Sequence, residues 1–222
     1  MLIRGSVPLD RSRGVTLIEL LVGLAIFAIL LLFSIPAYQE WMQNLQIRSM
    51  ADGLQNGLQI ARNEAIKRNQ ESRFQLVSSM TGSCALNTAG PGWIVSMYPV
   101  AGLCDQTPDP NTSPFSAGFS ADANPLIVQK SPPAPVTNPL VLSATQAGVC
   151  FTGMGAMTGD ADCGLITTKI DIKPAQGTCK ADGGDLRCLR VCISTGGLIR
   201  MCDPAVTDHS DPRYCSTDAG AC

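Results

Sequence analysis

The chain has 222 residues, 45% of them hydrophobic and only 15% charged, against about 25% charged in an ordinary soluble domain. Its formal net charge is -2, and ten cysteines stand beside one histidine, His209. Low charge and high apolar content exclude general disorder, and the slightly acidic balance speaks against a strongly basic nucleic-acid coat. The cysteine count suits an exported or membrane-tethered protein better than a cytosolic enzyme.

The apolar excess lies near the N-terminus. From Leu20 to Ile35 every residue is apolar except Gly23 and Ser34, and the 20 residues between Glu19 and Glu40 carry no charge. That is about the number a helix needs to cross ~30 Å of hydrocarbon. Arg4, Arg11 and Arg13 precede it against one acid, Asp10, so this end is predicted to stay in the cytoplasm while the body is exported in a single pass. The run is too long for a cleaved secretory signal, and no small-x-small site follows it. Glu19 is the exception inside this block. An ionised carboxylate in hydrocarbon costs several kcal/mol unless paired, which marks it as functional.

The segment Arg13-Gly14-Val15-Thr16-Leu17-Ile18-Glu19-Leu20 resembles the prepilin cleavage motif of type IV pilins and type II secretion pseudopilins. The resemblance implies that a membrane prepilin peptidase cuts after Gly14 and N-methylates Val15, where the family usually has Phe. It also implies that Glu19 is the family's glutamate and Pro36 its helix-loosening proline. A new amino terminus at Val15 would then pair with Glu19 of a neighbouring subunit and set the register of packed apolar helices, since an orphaned charge there is expensive. Pro36 removes a backbone N–H and clashes with the preceding turn, which predicts a bend or local melting near Leu32–Pro36.

Beyond Pro36 the pattern becomes amphipathic. Tyr38, Trp41, Leu45, Leu54, Leu58, Ala61 and Ala65 form one apolar stripe at helical spacing, predicting a helix that continues to about Asn69. Gly53 and Gly57 each weaken it by about 1 kcal/mol relative to Ala. The block Ala61-Arg62-Asn63-Glu64-Ala65-Ile66-Lys67-Arg68 resembles the close of the long helix in GspH pseudopilins and the FimT/FimU minor pilins. Taken by themselves, its charges read as an i,i+4 pair, Glu64 with Arg68, and a solvated basic helix end.

The remainder reads as β structure. Strands are predicted at Arg73–Ser79, Trp93–Tyr98, Leu126–Gln129, Val149–Thr152, Leu165–Ile172, Arg187–Ile193 and Leu198–Cys202, separated by turn clusters such as Thr195-Gly196-Gly197. Without alternating helices, a mainly antiparallel sheet on the amphipathic half-helix is expected. Eight of the fifteen prolines fall between Pro108 and Pro139, which reads as an irregular loop region.

The cysteines are Cys84, Cys104, Cys150, Cys163, Cys179, Cys188, Cys192, Cys202, Cys215 and Cys222. No CxxC occurs and one histidine cannot build a Cys/His cluster, so disulfides are favoured over a metal site. Connectivity is not readable from spacing. Cys84–Cys104 would tie the first hairpin, while Cys202, Cys215 and Cys222 would pin the tail. No GxSxG, Walker loop, dinucleotide fingerprint or HExxH is present, so no enzymatic activity and no cofactor are expected. The acid clusters Asp160/Asp162 and Asp182/Asp185 offer calcium as an alternative. They lack EF-hand spacing, and solvated turn residues are the favoured reading.

On the strand Arg187–Ile193, Leu189, Val191 and Ile193 share one face and Arg190 takes the other with the cysteines. A hairpin would bring Arg190 near Arg200. The region resembles the C-terminal hairpin of FimT-like minor pilins, whose Gly-Arg-x-Arg motif implies DNA binding. Here the matching residues are Gly197-Leu198-Ile199-Arg200, with leucine in place of the first arginine. Removing the leader's three arginines and one aspartate from 16 basic and 18 acidic residues leaves 13 against 17, a poor balance for contacting many phosphates. A structural hairpin is therefore favoured over a DNA site at Arg190 and Arg200.

The combined expectation is an α+β, type IV pilin-like chain, a minor pilin or pseudopilin of the FimT/FimU–GspH type. Residues 1–14 would be the cleaved cytoplasmic leader, 15–36 the transmembrane and filament-core helix, 37–70 its amphipathic half, and 71–222 the disulfide-rich β body. The resemblance implies an inner-membrane protein with a periplasmic body that passes into a periplasmic or extracellular filament, in priming or at the tip. Its implied partners are other major and minor pilins or pseudopilins, the prepilin peptidase and the inner-membrane assembly platform, with DNA as the alternative. Type IV pilus and type II secretion pseudopilus both remain open.

Overall fold

The computed structural model describes residues 14–108, 114–132 and 140–215, with the side chains of 32–37 set aside. The leader, Cys222 and much of the proline-rich stretch fall outside these residues, as does the side chain of Pro36. The chain divides into two compact units, Met1–Gln39 and Glu40–Cys222. A single helix, α1 (Leu17–Arg68), carries residues of both.

In the first unit, α1 starts at a recognisable N-cap. The Thr16 hydroxyl accepts the backbone N–H of Glu19 at 3.3 Å, and the Thr16 carbonyl accepts that of Leu20. Thr16-x-x-Glu19 therefore has the sequence of a capping box. The apolar residues that follow are exposed, from Leu17 at 78% to Leu31 at 47%. Among the described residues no helix is long and apolar enough to cross a membrane. The expected span ended at Pro36, and that end, like the expected bend, lies outside the described side chains.

In the second unit, two antiparallel sheets share one core with the helix. The first has the order β3-β2-β1-β5-β6, built from β1 (Ser72–Val77), β2 (Gly92–Ser96), β3 (Ile127–Lys130), β5 (Gly148–Phe151) and β6 (Met157–Thr158). The second has the order β4-β7-β8-β9, from β4 (Leu140–Ala144), β7 (Thr168–Pro174), β8 (Leu189–Ile193) and β9 (Ile199–Cys202). The one expected sheet is thus two, and β4 and β6 join the seven predicted strands. Ile47, Ala51, Leu54, Leu58, Ala61 and Ala65, at steps of four and three, bury completely against Phe74, Trp93, Phe151, Ile170, Val191 and Ile193. The predicted stripe holds from Leu54 onward. Its first three members do not, because Tyr38, Trp41 and Leu45 are 59%, 57% and 43% exposed and the buried row runs through Ile47 and Ala51 instead.

The helix stops on local chemistry. Asn69 takes a left-handed φ of 50°, Gln70 N–H reaches the Ala65 carbonyl and Asn69 N–H that of Ile66. This is a Schellman motif with asparagine in place of the usual glycine.

Candidate assembly segment and basic hairpin

Gly14 and Val15 lie exposed just ahead of the Thr16 cap, with Val15 at 71%. Glu19 is in the first turn of α1, where a negative charge also favours the helix dipole. The cap itself uses the backbone N–H of Glu19 and not its carboxylate. The apolar side chains after it face outward along the first unit and require lipid or other subunits to cover them.

The block that closes α1 is structural on every charge. The Arg68 Nε donates to Glu64 at 2.8 Å and Lys67 approaches the same carboxylate at 3.5 Å, so Glu64 is held below the usual carboxylate range against a desolvation that pushes the other way. Arg62, given no role by the sequence pattern, donates from Nε to the Gly155 carbonyl at 2.9 Å. Gly155 sits in the turn between β5 and β6. A Cβ on Gly197, in the β8–β9 turn, would lie 1.9 Å from that same carbonyl oxygen. The arginine therefore ties the helix end to the β5–β6 turn, and the β8–β9 turn packs closely on that same turn.

Arg190 and Arg200 lie on one face of the β8–β9 hairpin, the face of Cys192 and Cys202, as the register Arg190↔Cys202 and Cys192↔Arg200 requires. Val191 and Ile193 take the core face. Arg190 forms a two-pronged ion pair with Asp171 of β7, at 2.7 and 3.2 Å, and Arg200 donates to the Pro212 carbonyl at 3.4 Å. Both guanidiniums thus serve contacts within the body, one across the sheet and one to the tail.

The acid cluster after β6 is not a pair of merely solvated turn residues. Arg73 of β1 is buried, and it pairs with Asp160, with Asp162 at 3.5 Å and with Glu71 at 2.9 Å. The Asp160 carboxyl is held below its usual range, first by the Ala161 N–H and then by Arg73. Among the described residues no group of three or more His, Cys, Asp or Glu is placed to hold a metal.

Among the described residues four disulfides form: Cys84–Cys104, Cys150–Cys163, Cys179–Cys188 and Cys202–Cys215. The first was expected, and the last pins the tail as anticipated. Cys192 is buried in a cluster with Cys202 and Cys215, and Cys222 lies outside the described residues.

Residues 50–197 match the profile of a family described as type II transport protein GspH. The chain belongs to the GspH family. Residues 9–35 also match the prokaryotic N-terminal methylation motif, a stretch that includes Gly14, Val15 and Glu19. Two crystal structures of the type IV minor pilin FimU from Pseudomonas aeruginosa (strain PAO1), in space groups P21 and P65, are similar to the chain. Their identities are 15% and 17%, their TM-scores 0.45 and 0.42, and they cover 77% and 73% of this chain and 98% of their own. No curated protein matches significantly. The GspH segment takes in the buried row of α1 from Ala51, the Arg62 tie, both sheets as far as β8, and the turn into β9. Membership makes the chain a minor pilin or pseudopilin, a structural subunit that assembles with others of its kind.

Proposed function

We propose that this GspH-family chain is made as a precursor, cut after Gly14 and methylated at Val15, and held by its apolar helix in the inner membrane with its body in the periplasm. From there it is drawn into a filament, either a type II secretion pseudopilus or a type IV pilus, and works in priming or at the tip. The observation that carries this reading is the methylation motif at residues 9–35 in one chain with the GspH body. Assembly follows from the exposed apolar helix: its side chains gain by moving from lipid into packed contact with other helices, and one ion pair sets the register. Glu19 supplies the carboxylate and the new Val15 amino terminus the cation, in surroundings where an unpaired charge is costly.

Glu19→Ala is expected to leave the chain in the membrane fraction and remove it from sheared filaments. The variant loses one side chain, while the backbone cap from Thr16 remains. Recovery of the variant in filaments at the level of the native chain would refute the role of Glu19. DNA binding by the hairpin draws less support, because Asp171 already occupies Arg190 and the chain after Gly14 is acidic.

A further inference from the structure

A groove of about 530 Å³ opens in the second unit between α1 and the β8–β9 sheet. Trp41, Leu45 and Arg48 line one wall, and Arg187, Met201 and Arg213 line the other. The Arg187 backbone N–H donates to Asn44 Oδ1 at 2.8 Å, which joins the two walls. Each arginine is anchored on one acid: Arg48 by Asp52 at 3.9 Å, Arg187 by Asp203 at 3.3 Å, and Arg213 by Asp211 at 2.7 Å. Of those acids only Asp203 lines the groove, where it is 4% exposed. The three guanidiniums are thus balanced by three carboxylates, of which Asp52 and Asp211 are set back from the lining. Each guanidinium has five N–H donors, more than a single carboxylate uses.

We infer that this groove binds the headgroup of an anionic phospholipid, with Arg48, Arg187 and Arg213 around the phosphodiester and Trp41, Leu45 and Met201 against the upper acyl chain. The inference rests on the membrane-held reading above. Three observations select this occupant. Asp52 and Asp211 hold Arg48 and Arg213 from outside the lining, so the groove itself presents their guanidinium faces to a headgroup. Arginine's planar fork matches phosphate oxygens in pairs. Trp41 follows the end of the 20-residue uncharged run by a single intervening residue, Glu40, and is 57% exposed, which is the placement of an interfacial tryptophan. An acidic segment of a partner protein would satisfy the arginines as well. It would not account for a tryptophan at the end of an apolar run.

The chain itself supplies the probe. Its two tryptophans are Trp41 and Trp93, and Trp93 is 2% exposed and stacked on Phe74. Full-length chain is reconstituted into vesicles of phosphatidylcholine containing a minor fraction of tail-brominated phosphatidylglycerol, or the same fraction of tail-brominated phosphatidylcholine. Quenching of tryptophan emission and vesicle flotation are then measured. Quenching is expected to be stronger with brominated phosphatidylglycerol, and absent in Trp41→Phe. The Arg48→Gln/Arg213→Gln double variant, which spares the pair to buried Asp203, is expected to lose about fivefold in phosphatidylglycerol preference per arginine while floating normally. Flotation with equal quenching by both lipids, or a preference that survives the double substitution, would overturn the groove assignment alone. Loss of cross-linking to a neighbouring subunit in the double variant, with lipid preference unchanged, would assign the groove to a protein partner and overturn the lipid reading. Failure of the native chain to float would remove the membrane reading itself, and the lipid site with it.

Discussion

Gly57 and Gly53 occupy the same helix, four residues apart, and both lower its intrinsic stability. Their surroundings reverse the consequence of replacing them. A Cβ on Gly57 would stand 2.8 and 2.9 Å from two ring carbons of Trp93 and 3.0 Å from Phe74, whereas one on Gly53 meets nothing within 4 Å. The glycine at 57 is what lets the stacked Trp93–Phe74 pair, with ring centroids 5.5 Å apart, approach the helix backbone. Gly53→Ala is expected to stabilise the body by about 1 kcal/mol through helix propensity alone. Gly57→Ala gains the same propensity and meets an overpacking cost of about 1–3 kcal/mol, because a buried indole cannot swing away as a flexible chain end would. The net expectation is a loss of up to about 2 kcal/mol, or a Tm lower by up to several degrees. Thermal melts of the two variants should move in opposite directions, and a Gly57→Ala that melts above the native chain would disprove the packing account.

Between elements, one polar tie joins β1 to the turn after β6. Arg73 and Cys150 are register partners on β1 and β5, so both side chains rise from the same face. There Arg73 meets Asp160 and Asp162 while Cys150 meets Cys163. Asp160 is acidified in the folded chain by the Ala161 N–H and by Arg73, so the unfolded chain takes up a proton at higher pH than the folded one. The ionic part of this tie is therefore complete above the ordinary aspartate range, about pH 4, and is lost as pH falls through the lowered native value. Protection against amide exchange at Asp160 and Cys163, whose N–H groups bond each other's carbonyls, is expected to fall, relative to the rate of an unstructured chain at the same pH, on acidification below about pH 4. In Arg73→Met it should already be low at neutral pH and depend less on acid. A native turn with unchanged protection down to pH 3 would contradict this. No local pattern announces such a tie, since its partners lie 87 and 89 residues apart. The elements themselves were far more legible. The apolar run, the stripe from Leu54 and the paired β-formers each carry a period, and the β8–β9 hairpin carries a turn signal in Gly196-Gly197. β4 escaped because it follows the proline-rich stretch and buries only Leu142 of its five residues. Tyr38, Trp41 and Leu45 were placed in the core because periodicity records which face is apolar and not whether a layer exists to cover it.

Over the whole body, covalent and apolar forces divide the work. The main core cluster draws on α1 and both sheets, so burial assembles the layers. The four disulfides span only 20, 13, 9 and 13 residues, and each fastens a loop or tail to a strand or loop close by in sequence. Loops of that size contribute roughly 3 kcal/mol each by limiting the unfolded chain, which suits segments too polar to bury themselves, such as the stretch from Asp203 to Cys215. Two of the ten cysteines fall outside these four bridges, Cys192 and Cys222. Cys192 lies in the buried cluster with Cys202 and Cys215, and Cys222 follows Cys215 by seven residues. Ten cysteines are an even number and an oxidising compartment favours full pairing, so a fifth bridge, Cys192–Cys222, is expected. Denatured but unreduced protein should take up no alkylating reagent, and its mass should rise by ten hydrogens on reduction. Digestion should yield a linked peptide pair containing Cys192 and Cys222. Two alkylated cysteines at those positions would refute the fifth bridge.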